Sequence, residues 1–269
     1  IILRILLIDS REIAYDDAFS YFLSRNSISQ IIDGTAADTM PPLYYFLLHF
    51  WLSISTDLWF LRLLSVFLNL GSAVFLFFLS KELFNKNVAT IALFLFLISP
   101  FQIYHSQEMR MYSLLLFGQL GFYYSILKIT IHSSHNQKIW IILSIFFGTI
   151  AMYSHNLGVI GLIPINLLFF YKRDKETIIK ILSIQGIIYF LFLPWLYFLP
   201  QQIEKIQRAF WTQPPGISEI LQSFMSLFAF LPMPIFEIGI VLIFLLQIFI
   251  IVFMWFFKTK NGNFGFLIY

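Results

Sequence analysis

Residues 104–113 read YHSQEMRMYS and place His105, Glu108 and Arg110 within six positions, between long apolar runs. A second polar cluster, YDDAFSYFLSRN, sets Asp16 and Asp17 side by side at an expected helix start. A carboxylate there either complements the positive end of the helix dipole or serves as a general base. Glu108 admits two readings of the same kind: a solvated interface residue paired with Arg110, or an acid that takes part in chemistry. His105 and His155 could join Glu108 around a metal ion, but no ligand spacing enforces it, and a hydrogen-bonded histidine is the plainer reading.

The surroundings of these residues decide where such chemistry can sit. The chain has 269 residues, 59% hydrophobic and 12% charged, with 34 phenylalanines. Its mean hydropathy is +0.82. Soluble domains carry about 25% charged residues, so half that charge cannot cover a water-exposed surface. The composition is that of an all-α, polytopic membrane protein. The net charge of +3 does not point to nucleic acid, because the cations sit between apolar runs rather than on one face. Cysteine is absent, which excludes disulfides and thiolate metal sites. The chain opens inside IILRILLI and ends in NGNFGFLIY, and it reads as a fragment with a partial first span.

A spanning helix needs about 20 mostly apolar residues. Segments 61–79, 88–101, 111–129, 139–152, 157–171, 178–199 and 235–257 give about seven full spans. Loop cations set their direction. Lys81, Lys86, Lys128, Lys138, Lys172, Arg173, Lys175, Lys180, Lys258 and Lys260 fall in one alternate set of loops, while Arg11, Arg25, Arg110, Lys205 and Arg208 fall in the other. The richer set is assigned to the cytoplasm. Segment 41–55, PPLYYFLLHFWLSIS, is apolar enough to tempt an eighth span. Crossing there would invert every later loop, and the segment reaches only roughly 22 Å against a core of about 30 Å. It is therefore expected to lie in the outer interface. The resulting organisation is a single transmembrane domain over 1–269, with a first outer loop at 9–60 holding interfacial helices and a bundle at 61–257.

Most acids then lie on the outer side, Asp38 among them. A transporter or flippase, the alternative function class, would place ionisable groups near the midplane, at broken helices. Acids gathered at one face lean toward an enzyme.

Six stretches, in order, carry a resemblance: YDDAFSYFLS, TAADTMPPLYYFLLHFW, FLRLLSVFLNLGSAVFLFFLSKELF, SPFQIYHSQEMRMYSLL, MYSHNLGVIGL and LPWLYFLPQQIEKIQRAFWTQPP. The chain resembles the bacterial and archaeal relatives of the dolichyl-phosphate-mannose protein mannosyltransferases. These are polytopic glycosyltransferases of the GT-C superfamily, which includes the lipid A aminoarabinose transferase. PPLYY and SQEMRMYS are the most specific of the motifs. The family's first outer loop carries an acidic pair, commonly Asp-Glu, whose Asp is taken as the catalytic base. Asp16 matches it, with Asp17 in place of Glu. Glu108 fits a further acid of the second outer loop, and His155 in YSHN matches a histidine often seen at the third outer turn. The family often has His before PPLYY, where this chain has Met40.

The resemblance implies a GT-C bundle whose interfacial helices roof a cavity at the outer face. It implies transfer of a sugar from a polyprenyl- or dolichyl-phosphate donor to a hydroxyl of a protein, lipid or glycan. The acceptor hydroxyl must lose a proton, and the leaving lipid phosphate wants cations. Asp16, Asp17 and Glu108 become the catalytic candidates. Arg110, Lys205 and Arg208 become the donor-phosphate candidates, and Tyr44, Tyr45, His105, His155 and Trp211 the lining of the cavity. No metal ligand is assigned, and a divalent cation is left open as cofactor. The partners are the lipid-linked donor, the acceptor and membrane lipids. The expected location is the plasma (inner) membrane, with the active site on the external or periplasmic face.

Overall fold

A computed structural model describes residues 2–6, 8–10, 12–131, 137–167, 174–209 and 216–226. The chain divides into two units, Ile1–Trp211 and Thr212–Tyr269. Trp211, the 235–257 span and the cations Arg11, Lys172, Arg173, Lys258 and Lys260 lie outside the described residues.

Three short helices precede the bundle, after a four-residue α1 (Ile2–Ile5). Helix α2 (Tyr15–Ser24) carries Asp16 and Asp17 in its first turn, where the dipole favours them, yet neither caps it through a side-chain bond. Helix α3 (Ile28–Asp38) starts in a capping box: Ser27 accepts from the Gln30 N–H, and Gln30 accepts from the Ser27 N–H. It ends at Thr39, whose φ of 98° is left-handed. Pro41 and Pro42 follow and cannot continue a helix. Helix α4 (Leu43–Leu52) has ten residues, about 15 Å, too short to cross. Its His49 Nδ1 bonds the Ser24 carbonyl at 2.8 Å and ties α4 to the end of α2.

The bundle follows. Helix α5 (Leu58–Leu83) has 26 residues, and α6 (Lys86–Ile98) begins at Asn85, which caps the Val88 N–H at 3.0 Å. Helix α7 (Pro100–Ser106) leaves α6 at a bend of 60°. The expected span at 88–101 is therefore a broken one, because Pro100 removes a backbone donor and Ser99 caps the new helix instead. Arg4 takes up carbonyls freed at the break, donating to Leu97 O at 2.9 Å and Phe96 O at 3.3 Å. Next come α8 (Tyr112–Ile131), α9 (Gln137–Ser154), α10 (Gly158–Leu162), a 3₁₀ turn (Ile163–Leu167), α11 (Lys175–Leu196) and α12 (Leu199–Ala209). In the second unit α13 covers Ile217–Ser226.

Three of these helices, α5, α9 and α11, are long and apolar enough to cross a membrane alone, and the bent pair α6–α7 makes a fourth if it is one span. The chain is thus a membrane protein by its apolar helices, with fewer continuous spans among the described residues than the seven expected. The segment expected to span 157–171 is, in its described part, a short α-helix and a 3₁₀ turn containing Pro164.

Side by side the order is α6, α5, α8, α9, α11, with α2, α3 and α4 packed at one end. Close approach needs glycine at Gly118, where a Cβ would stand 2.7 Å from the Ala151 N and 2.9 Å from the Phe147 O. The core between α8, α9 and α11 is Phe122, Ile126, Phe147, Ile184 and Ile188. A second cluster under the outer helices is Tyr44, Leu48, Leu61, Met109, Met111 and Leu114.

Helix α5 also buries a polar stripe: Arg62, Ser65, Asn69 and Ser72. The spacing of 3, 4 and 3 puts them on one face. Each of the first three anchors another element. Arg62 donates to Ile8 O at 2.6 Å and Glu12 O at 3.1 Å, Ser65 Oγ meets Tyr44 OH at 2.9 Å, and Asn69 bridges Arg4 and Gln102. Mid-span residues are therefore less uniformly apolar than their hydropathy suggests. These polar groups are consumed in docking the outer segments.

Lys128 of α8 pairs with Glu82 of α5, and Lys180 of α11 donates to Gln137 of α9 at 3.4 Å, tying neighbouring helices near their ends.

Candidate active site

The two adjacent acids of α2 part company. Asp17 is buried: its Oδ1 accepts the Met109 N–H at 2.9 Å and its Oδ2 lies 3.4 Å from Arg62 Nη2. This carboxylate fastens the loop between α7 and α8 to α2 and α5, and its oxygens are already engaged. Those contacts give Asp17 an anchoring role in the structure. Asp16 lies one step round the helix and is open, its side chain 58% exposed.

Asp17 fixes Met109 from beneath, and the next residue, Arg110, reaches the site. Arg110 is only 6% exposed. Its Nε stands 3.9 Å from Asp16 Oδ2, and its Nη1 donates to Tyr45 OH at 3.3 Å. The Nε has no hydrogen-bond partner. Burial works against the guanidinium charge, but Tyr45, Asp16, Tyr112 and Asp38 outweigh it and hold its pKa above the ordinary value. Burial pushes the Tyr45 hydroxyl up to about 12, with Arg110 opposing, so it stays protonated. Ser20 bonds Tyr45 and also donates to the Asp16 carbonyl at 2.9 Å.

A turn from α9 and a helix end from α3 complete the surroundings. His155 lies in the field of Arg110, and burial and that cation both lower its pKa. Its Nδ1 accepts the Leu157 N–H at 3.0 Å, which leaves the proton of the neutral ring on Nε2. Asp38, the last residue of α3, is half-buried and interacts electrostatically with Arg110, Lys205 and Asp16. Lys205 donates to the Ala37 carbonyl.

Other expected residues fall elsewhere. Tyr44 is fully buried and bonded to Ser65, so it supports the floor rather than a lining. Arg208 pairs with Glu204 on the exposed side of its own helix. Glu108 bonds His105 Nδ1 at 2.7 Å. His105 lines a separate cavity of about 410 Å³ with Asn69, Gln102, Tyr112, Ser113 and Gln119. Among the described residues no three His, Asp or Glu side chains converge as a metal site. Asp38, Arg62, Asn156 and Gln202 received no role from the sequence. The 62/65/69/72 spacing was the visible signal for Arg62, whereas nothing local marks Asn156 or Gln202.

Searches of curated proteins and of solved structures each gave no match. Residues 39–198, more than half of the chain, match the family model for dolichyl-phosphate-mannose-protein mannosyltransferase. The match begins at the turn after α3 and takes in Arg110 and His155, while Asp16 and Asp17 precede it. The apolar helices and this match together make the chain a membrane glycosyltransferase of mannosyltransferase type, a member of the dolichyl-phosphate-mannose-protein mannosyltransferase family.

Proposed function

We propose that this protein moves a sugar from a polyprenyl- or dolichyl-phosphate donor to a hydroxyl acceptor at the external face of the membrane, with Asp16 as general base. The acceptor is a protein, lipid or glycan hydroxyl. The observation that carries the reading is the pairing of an open Asp16 carboxylate with a buried Arg110 whose Nε lacks a hydrogen-bond partner.

The chemistry follows from the charges. The acceptor oxygen attacks the anomeric carbon, and its proton passes to the Asp16 carboxylate. The bond from that carbon to the phosphate oxygen breaks, and the electron pair leaves with the lipid phosphate. Negative charge grows on that phosphate, and a preoriented guanidinium stabilises it. Asp17 and Arg62 hold the loop that presents Arg110. Loop cations favour placing this end of the bundle outside, in the plasma (inner) membrane.

Asp16→Asn keeps the shape and removes the base. Transfer from mannosyl phosphoryl polyprenol is expected to fall by about 10²- to 10⁴-fold, the usual range for a general base. The thermal midpoint in detergent is expected to stay at the wild-type value, because Asp16 is exposed. Wild-type turnover in that variant refutes the base assignment.

A further inference from the structure

The last carbonyls of α3 have no intrahelical donor, and side chains from distant elements satisfy them. Three backbone carbonyls around Asp38 are each taken by a side chain from elsewhere. Gln202 Nε2 donates to Ala36 O at 3.2 Å, Lys205 Nζ donates to Ala37 O, and Asn156 Nδ2 donates to Thr39 O at 2.7 Å. Asn156 and Gln202 also bond each other at 3.1 Å, so the turn after α9 and helix α12 grip this helix end together. Between the gripped carbonyls sits Thr39 with φ of 98°. A β-branched residue is strained there, and such strain persists only where neighbouring contacts over-determine the backbone.

What this clamp presents is the Asp38 side chain. Its position is unfavourable on three counts. A carboxylate at a helix C-terminus opposes the dipole. It is half-buried. Among the described residues no donor hydrogen-bonds it and no cation stands within 4.0 Å of it. The groups that interact with it electrostatically are Arg110 from the α7–α8 loop, Lys205 from α12, Asp16 from α2 and Tyr45 from α4. Burial and Asp16 raise its pKa, and Arg110 and Lys205 oppose that rise. An acceptor-only group placed at such cost, within the field of a buried guanidinium, calls for an uncharged ligand rich in O–H donors. A phosphate does not suit it, because two carboxylates repel the anion. A sugar ring does.

We propose that Asp38 is a sugar-binding residue of this site, accepting a hydrogen bond from a ring hydroxyl of the donor's transferred sugar. This rests on the glycosyltransferase reading above and divides the site three ways. Arg110 takes the phosphate, Asp16 takes the acceptor's proton, and Asp38 reads the sugar.

The test compares mannosyl phosphoryl polyprenol with its monodeoxy-mannosyl analogues as donors, using the full chain in membranes or detergent. Asp38→Ala is expected to lower kcat/KM for the parent donor by about 10- to 100-fold, the worth of a hydrogen bond to a charged group. Wild type is expected to show a similar penalty for one deoxy position, and Asp38→Ala to abolish that penalty alone. Asp38→Asn, which keeps an acceptor oxygen, is expected to restore part of the discrimination. Both variants are expected to unfold at or above the wild-type midpoint, which a structural role would not allow. Retention of every deoxy penalty in Asp38→Ala overturns the inference while leaving the glycosyltransferase reading intact. A wild type that transfers from none of these donors overturns both.

Discussion

The separation of Asp16 from Asp17 makes a quantitative prediction. Asp17→Ala removes an acceptor from the buried Met109 N–H and the counter-charge from a fully buried Arg62. An orphaned backbone donor costs about 1–3 kcal/mol. Breaking a buried ion pair costs about 3–5 kcal/mol, and here the lower end applies, because Arg62 keeps the carbonyls of Ile8 and Glu12. The variant is expected to lose about 4–6 kcal/mol by these two principles together. Asp17→Asn retains an oxygen for Met109 and loses only the charge, so about half that loss is expected. Thermal or denaturant unfolding of the purified protein in detergent measures both, alongside transfer activity of the fraction still folded. Folded Asp17→Asn is expected to keep most of its turnover, whereas Asp16→Asn, equally isosteric, is expected to lose about 10²- to 10⁴-fold. An Asp17→Asn protein as stable as wild type and as inactive as Asp16→Asn would refute the assignment of Asp17 to loop anchoring.

Two further outcomes are expected. Gly118→Ala would ordinarily strengthen a helix by about 1 kcal/mol, but the added Cβ meets backbone atoms of α9 that cannot yield, so unfolding measurements are expected to show a loss of about 1–3 kcal/mol instead. His155 has a lowered pKa in the folded state, so the unfolded chain binds its proton first as pH falls. Stability is therefore expected to drop as pH goes below the ordinary imidazole value of about 6.5, and unfolding scans of His155→Gln are expected to show less of that drop.

The first outer loop shows how much a sequence of this kind discloses. Short length and loop cations kept 41–55 out of the spans, and α4 has ten residues. Asp16 and Arg110 were legible as chemistry-bearing types, and the structure brings them within 3.9 Å across a separation of 94 positions. The adjacency of Asp16 and Asp17 could not be resolved locally, since neighbours on a helix point about 100° apart and what each meets is decided by distant elements. Arg62 and Met109 meet one, and the other stays 58% exposed with Arg110 at its edge. Apolarity likewise suggested spans at 88–101 and 157–171. Pro100 and Pro164 sit where those segments bend or tighten, and hydropathy does not weigh a missing N–H.

Composition and charge content determined that this chain is an all-helical membrane protein, because burial depends on sums over residues. Tertiary structure alone decided which carboxylate is open, that Arg110 is buried against it, and that the end of α3 is clamped by Asn156, Gln202 and Lys205. Those are pairings between residues up to 168 positions apart, and only the packed helices bring their partners within hydrogen-bond reach.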